Sequence, residues 1–517
     1  MMDEKHMAMA VSRREVIALL AGFTLAAAHQ YLFYGHSLGL SVPIFVVLFY
    51  AYLFLCAGER IRRPFTWFGW LSFAAVLLLS MTYALFANPV FHSLNVLALP
   101  CLILLQTTYI LSPKTRSWGD LRMILDAFDH LFPQNLRHFA TFFNLLKSFI
   151  VRKMGDRSRK MAGKVLLGLL IALPLLIIVV SLLTSADSSF ERLLSGIPDW
   201  LNRWFSFGEI VFRLAWIVLI GLLLFGYLWG FVSPRPEQPE QREGEAAGVP
   251  GVNVRGVDAS NIEIKFDPVI TATVLIVVNI VYLLFVSLQF SYLFGAWRGM
   301  LPEGSTYAEY ARSGFLELVF VTAINFAILI GTLVFSGQAG HWLRKWNNWM
   351  LYILVGCSCV MLVSAYTRLI MYEQAYGYTY IRFLVHAFMI FLALLFLCAG
   401  LRIYFASIPL LKCFVVIGLV AYVAINYANM DRVIATKNME LYKESGTIDA
   451  RYLTGLSADV VPQLIRFSRD KDLDDLNRQL YERWEPLMKK ESEWPSFNAA
   501  NSRAVTALKQ NAKNAAR

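Results

Sequence analysis

The chain has 517 residues, 57% hydrophobic and 14% aromatic but only 16% charged, with a mean hydropathy of +0.53. A soluble chain carries about 25% charged residues; here apolar residues fall instead in blocks of about 20, each able to cross a roughly 30 Å hydrocarbon core. That excludes a soluble enzyme, a secreted disulfide scaffold and a disordered protein. The formal charge of +11 gathers at the ends of the apolar blocks, which is a topology signal and not a nucleic-acid footprint.

In chain order, candidate spans fall near residues 16–34, 39–57, 65–86, 89–112, 163–184, 209–232, 268–290, 313–335, 347–368, 380–401 and 407–427. The expected fold is therefore all-α: a polytopic transmembrane bundle of about 11 spans with a C-terminal helical extramembrane tail. Its regions are a four-span part (1–112), a basic cytoplasmic amphipathic loop (113–162), spans five and six (163–232), a flexible cytoplasmic linker (233–266), a five-span part (267–427) and the tail (428–517).

Orientation follows from the basic residues. Arg60, Arg62 and Arg63, the 113–162 loop, Arg344 with Lys345, and Arg402 share one side if the N-terminus is cytoplasmic, and the tail is then outside. In the long loop, Leu121, Ile124, Leu125, Phe128 and Leu131 recur at helical spacing. This suits helices lying on an anionic inner leaflet, and equally suits packing beneath the bundle. The stretch that begins Pro234-Arg235-Pro236 continues acidic and Gly-rich, as a linker does.

The tail has periodic apolar positions, among them Tyr452, Leu453, Leu456, Val460, Leu464, Leu476 and Leu480, and its charges nearly balance. It should form several water-soluble amphipathic helices and is the candidate surface for an envelope protein partner. From Asn498 onward it carries only Val505 and Leu508 as large apolar residues, which points to fraying.

Ionisable side chains within spans cost roughly 2.5–3.5 kcal/mol at a helix centre. They are Arg213 in span six, Glu317 in span eight, Arg368 at the end of span nine, and Arg382 with His386 in span ten. All five fall in the outer third of the membrane, and Arg382 and His386, four apart, share one helix face. Either Glu317 ties one arginine structurally while the others reach headgroups, or the group forms an outward-facing pocket for an anion. Asn279 and Asn325, mid-span in seven and eight, suit hydrogen bonds across helices.

No catalytic set is present in the sequence: it has no Gly-x-Ser-x-Gly elbow, no HExxH helix and no paired-carboxylate motif. The eight histidines are scattered and suggest no metal site, and no cofactor motif occurs. The six cysteines all lie in or beside apolar blocks, so no disulfide framework is implied. Cys357 and Cys359, two apart, fall on different sides of a helix.

Three stretches carry a likeness. They are Tyr307-Ala308-Glu309-Tyr310-Ala311-Arg312-Ser313-Gly314-Phe315-Leu316-Glu317-Leu318, then the run from Arg368 through Tyr372-Glu373-Gln374-Ala375-Tyr376-Gly377 to Arg382, then Asn429-Met430-Asp431-Arg432 with Asn438, Asp449-Ala450-Arg451-Tyr452-Leu453 and Leu456-Ser457-Ala458-Asp459. Over roughly residues 165–490 the chain resembles the bacterial multi-pass membrane family called domain of unknown function 4173, related to 4153. It departs from the family pattern at Tyr378, where Leu is usual, and at Met430, within an expected Asn-Pro-Asp. The resemblance implies a protein of the bacterial cytoplasmic (plasma) membrane, supplies no mechanism, and singles out Glu317, Arg368 and Arg382. The sequence then supports a non-enzymatic envelope scaffold, sensor or accessory subunit acting through its outer tail. The alternative is a transporter or flippase-like protein that recognises an anionic substrate through the outer Arg/Glu cluster.

Overall fold

In the computed structural model the described residues are 13–57, 66–112, 117–120, 122–136, 138, 207–233, 267–297, 315–335, 340–489 and 493–515. Among them the chain forms helices and no strand. The apolar helices are α1 (Arg13–Phe33), α2 (Ser41–Ala57), α3 (Trp67–Leu85), α4 (Pro89–Leu111), α6 (Phe207–Val232), α7 (Pro268–Trp297), α8 (Phe315–Phe335), α9 (His341–Tyr376), α10 (Tyr380–Tyr404) and α11 (Leu410–Tyr427). The short α5 (Arg122–Asp129) continues into a π-helical turn, His130–Gln134. The tail follows as α12 (Met430–Ser445), α13 (Ala450–Thr454), α14 (Val461–Asp470), α15 (Asp474–Lys489) and α16 (Ala499–Ala515).

Eight described helices are long and apolar enough to cross a membrane, and α2 is apolar with 17 residues. Ten of the expected spans coincide with described helices; the fifth, at 163–184, and the 233–266 linker lie outside the described residues, apart from Ser233. The chain is a multi-pass integral membrane protein. Helix α9 is 36 residues long, about 54 Å at the α-helical rise and so longer than the hydrocarbon core is thick. It therefore runs on past Arg368, where the sequence placed its end, by two further turns.

The chain divides into two compact units. In the first, α1 lies along α6 and beside α2, and α2 packs on α3. Lipid tails are as apolar as leucine, so helix association in a membrane depends on close packing and polar pairs. Both occur here. Gly22 and Gly221 let α1 and α6 approach, a Cβ on Gly221 meeting the Phe23 ring at 2.9 Å. Tyr50 donates to Gln106, and Gln106 donates to the Gly69 carbonyl at 3.3 Å. This unit also holds one piece of the tail: Leu40 N–H donates to the Phe497 carbonyl at 3.0 Å, and Asn498 Nδ2 to the Tyr83 carbonyl at 2.8 Å.

In the second unit α7 and α8 pack on α9, α9 on α10, and α10 on α11. Asn279 and Asn325 tie helices together. Asn279 Nδ2 donates to the Met350 carbonyl at 2.8 Å, while Asn325 accepts from Tyr282 at 2.6 Å and donates to Ser358 at 2.8 Å.

The tail helices of this unit bury Met430, Ile434, Leu464, Leu480 and Leu508 in one core, each worth roughly 1.5–3 kcal/mol in water. Tyr380, Phe383, Leu384, Ala87 and Val90 pack against it, so the tail core rests on the ends of membrane helices. The stretch expected to fray is α16 instead. Ala500, Ala504 and Leu508, at i, i+4 and i+8, are fully buried; the small alanine face lets the helix sit close enough to be held without large apolar residues.

Candidate functional site

The second unit concentrates its buried charge where the tail meets the ends of α4, α9 and α10. Helix α9 stops at Gly377, whose φ of +77° suits glycine alone; a Cβ there would also lie 2.6 Å from Asn438 Oδ1. Asn438, on α12, grips the next residue by both of its backbone groups. Its Oδ1 accepts from Tyr378 N–H at 3.0 Å and its Nδ2 donates to the Tyr378 carbonyl at 2.9 Å. Tyr380 N–H then donates to the Tyr452 hydroxyl at 3.1 Å.

Helix α12 begins at Asn429, which adopts a left-handed conformation (φ +47°) and caps the helix by accepting from Arg432 N–H. That turn carries Asp431 into the core, where it is fully buried. Asp431 accepts from Asn88 Nδ2, from the Tyr380 hydroxyl and from Ser457 N–H at 3.3 Å. Asn88 in turn caps α4, accepting from Phe91 N–H at 3.1 Å. A second buried carboxylate, Asp459, accepts from Ala87 N–H at 2.7 Å and from Ser457 Oγ at 3.1 Å, with Arg503 of α16 at 4.0 Å. Burial raises the Asp459 carboxyl above the usual aspartate range and the Asp431 charge adds to this, while Ala87 N–H, Ser457 Oγ and Arg503 oppose it.

Two carboxylates thus hold the turn 86–88, the start of α10 and two tail segments. Hydrogen bonds to charged groups contribute about 1.5–3 kcal/mol each. Both Asp431 oxygens are engaged by protein donors, whereas the buried Oδ1 of Asp459 has no hydrogen-bond partner and faces Arg503 at 4.0 Å. Among the described residues no set of three His, Cys, Asp or Glu side chains stands close enough to hold a metal ion.

The residues expected to form an outer polar cluster fall as follows. His386 Nε2 lies 2.7 Å from Glu373 Oε2, with Glu373 1% exposed and its Oε1 without a hydrogen-bond partner. Arg382 donates to the Gly377 carbonyl and lies over the Tyr372 ring, 4.2 Å from its centroid. Arg368 is half-buried two turns before Tyr376 on α9. Glu373, Arg382 and His386 border one connection, the α9–α10 turn. Arg213 belongs to the other unit, where its guanidinium sits 4.4 Å above the Tyr34 ring. Glu317 is on α8, and its side chain lies outside the described residues.

Sequence reasoning missed Glu373 because span nine was closed at residue 368, which left Glu373 in a loop. It also missed Asn88, Asp431 and Asp459. The last two stand within the quoted motifs, and the apolar neighbours of Asp459, Ala458 and Val460, were the available signal there.

With this geometry in place, the family model described as "Domain of unknown function (DUF4153)" matches residues 73–467. That is well over half of the chain, and the chain belongs to this family. The match reaches further toward the N-terminus than the likeness read from the motifs, and it takes in Asn88, Glu373, His386, Asp431 and Asp459. No curated protein and no solved structure matches the chain.

Proposed function

We propose that this chain is a non-enzymatic scaffold, sensor or accessory subunit of the bacterial plasma membrane, acting on an envelope protein partner through a tail held outside the cell. The observation that carries this reading is the lock: buried carboxylates, Asn88 and Asn438 fix the tail to interhelical turns. A tail fixed in this way presents a constant surface to a partner and transmits strain to the spans.

The side is argued from connectivity. Turns 34–40, 86–88 and 377–379 follow the first, third and ninth expected spans, so a cytoplasmic N-terminus puts all three outside together with the tail. Within each unit the tail bonds to turns of this set, through Leu40 in one and Ala87, Asn88 and Tyr378 in the other. Turns 86–88 and 377–379 share one tail core, so an even number of crossings must separate them. Helices α4 and α6 to α9 supply five, which favours the further crossing expected at 163–184. Cysteines introduced at Ser445 and Ser158 test this: external labelling of Ser445→Cys alone is expected, and labelling of Ser158→Cys alone would invert the orientation.

The transporter reading keeps one observation in its favour, the unpartnered Oε1 of the buried Glu373. Against it, the Arg382 guanidinium is already committed to the Gly377 carbonyl and the Tyr372 ring. Mild cross-linking in native membranes followed by mass spectrometry separates the two readings. A stoichiometric protein partner that is lost with Asp431→Ala is expected. Saturable anion flux abolished by Arg382→Gln, with no protein partner, would overturn the scaffold reading.

A further inference from the structure

Residues 122–136 turn two different faces outward and inward. The inner face packs on α6: Ala127 is buried, and the His130 ring stacks on Phe231 with centroids 3.9 Å apart. A Cβ on Gly230 would meet Gln134 at 3.4 Å, and one on Gly226 would overlap Asn135. The outer face is a stripe of Leu125, Phe128, Phe132 and Leu136, 69%, 56%, 54% and 59% exposed. In a regular α-helix, residues four apart drift by about 40° per step. The π-helical turn, which contains Pro133, is wider and keeps the stripe in line. The Phe128 and Phe132 rings are accordingly near-parallel, at 10° and 6.4 Å.

The level of this stripe is fixed at both ends. Phe231 is in the last turn of α6. Just upstream of α5, Trp118 stacks on Phe68 in the first turn of α3 at 4.0 Å. The first turn of α3 directly follows the stretch of sequence that carries Arg60, Arg62 and Arg63. An apolar stripe at that height continues the lipid-facing surface of the spans. The surrounding stretch, 113–164, carries 11 Lys and Arg against 4 Asp.

We propose that residues 122–136 form an in-plane anchor whose stripe enters the acyl–headgroup boundary of an anionic phospholipid leaflet, with the basic flanks selecting the headgroup. Assigning that leaflet to the cytoplasmic side rests on the orientation proposed above, whereas the insertion itself does not.

The test uses the full wild-type chain in nanodiscs containing phosphatidylglycerol or phosphatidylcholine with a diazirine in the acyl chain, at equal mole fraction, followed by peptide mapping. Labels on Leu125, Phe128, Phe132 or Leu136, absent from Ala127 and His130 on the inner face, are expected. They should be several-fold stronger from phosphatidylglycerol and reduced at high salt. No label within 122–136, equal labelling by both lipids, or a chain-to-chain cross-link through Phe128 would overturn the proposal. Inverted labelling of Ser445→Cys and Ser158→Cys, with the lipid labels retained, would move the anchor to the other leaflet and leave it standing.

Discussion

The tail is attached once in each unit, and the two attachments are built differently. In the second unit the carboxylates are buried: Asp431 receives three donors from separate segments and Asp459 receives two, and the half-buried Asn438 pairs both backbone groups of Tyr378. In the first unit the clasp at 493–498 is largely a surface one. Ser37 N–H donates to Ser496 Oγ at 3.0 Å, and His36 lies 3.6 Å from a Glu493 side chain that is 75% exposed; Pro495 and Asn498 are its buried residues. A buried polar group left without its partner carries the full cost of desolvation, whereas an exposed one turns to water. The attachment in the second unit should therefore be sensitive to single atoms and the one in the first unit tolerant of them.

Replacing Asp431 with Ala tests the contrast hardest. It leaves the Asn88 amide, the Tyr380 hydroxyl and Ser457 N–H without their acceptor, and a loss of about 3–5 kcal/mol is expected. Hydrogen exchange across α12 should rise while α9 to α11 remain protected. Gly377→Ala comes next, at about 1–3 kcal/mol for the strained conformation and the collision with Asn438. Rescue by Asn438→Ala should be partial, because that change removes the collision and leaves the strain.

Gly39→Ala should act locally. A Cβ there meets the Phe497 carbonyl oxygen at 2.6 Å, and protease sensitivity confined to 493–498 is the expected readout. At the small end, Glu493→Gln should change stability by no more than about 0.5 kcal/mol.

The pH dependence sharpens the same comparison. Asp459 holds its proton more tightly folded than unfolded. Its contribution is therefore fully present below the ordinary aspartate value of 3.8 and is lost as pH rises through the elevated folded value. Asp459→Asn should flatten the decline in tail stability between acidic and neutral pH, measured as the midpoint of tail unfolding. An unchanged slope would place that titration elsewhere.

Much of the membrane part was legible because its signal is one-dimensional. Twenty apolar residues in a row mark a span whatever surrounds them, and Asn279 and Asn325 stood out as polar residues within such runs. The lock was not legible, because it joins residues hundreds of positions apart: Asn88 to Asp431, and Ala87 to Asp459. Helix α16 was misjudged for a related reason. Ala500 and Ala504 look weakly hydrophobic in sequence, and their small size becomes favourable only against a neighbouring helix. The polar residues named within the spans divided once the fold was known. Arg382 and His386 met partners around the α9–α10 turn, and Arg213 met Tyr34 in the other unit.

The most direct test of the lock is a double-mutant cycle of Asn88→Ala and Asp431→Ala on the full chain in nanodiscs, read as the free energy of α12 opening by hydrogen exchange. Paired side chains should couple, with a double mutant less damaging than the sum of the singles by about 1.5 kcal/mol or more. Additive effects, within about 0.3–0.5 kcal/mol, would contradict a buried lock between the tail and the 86–88 turn.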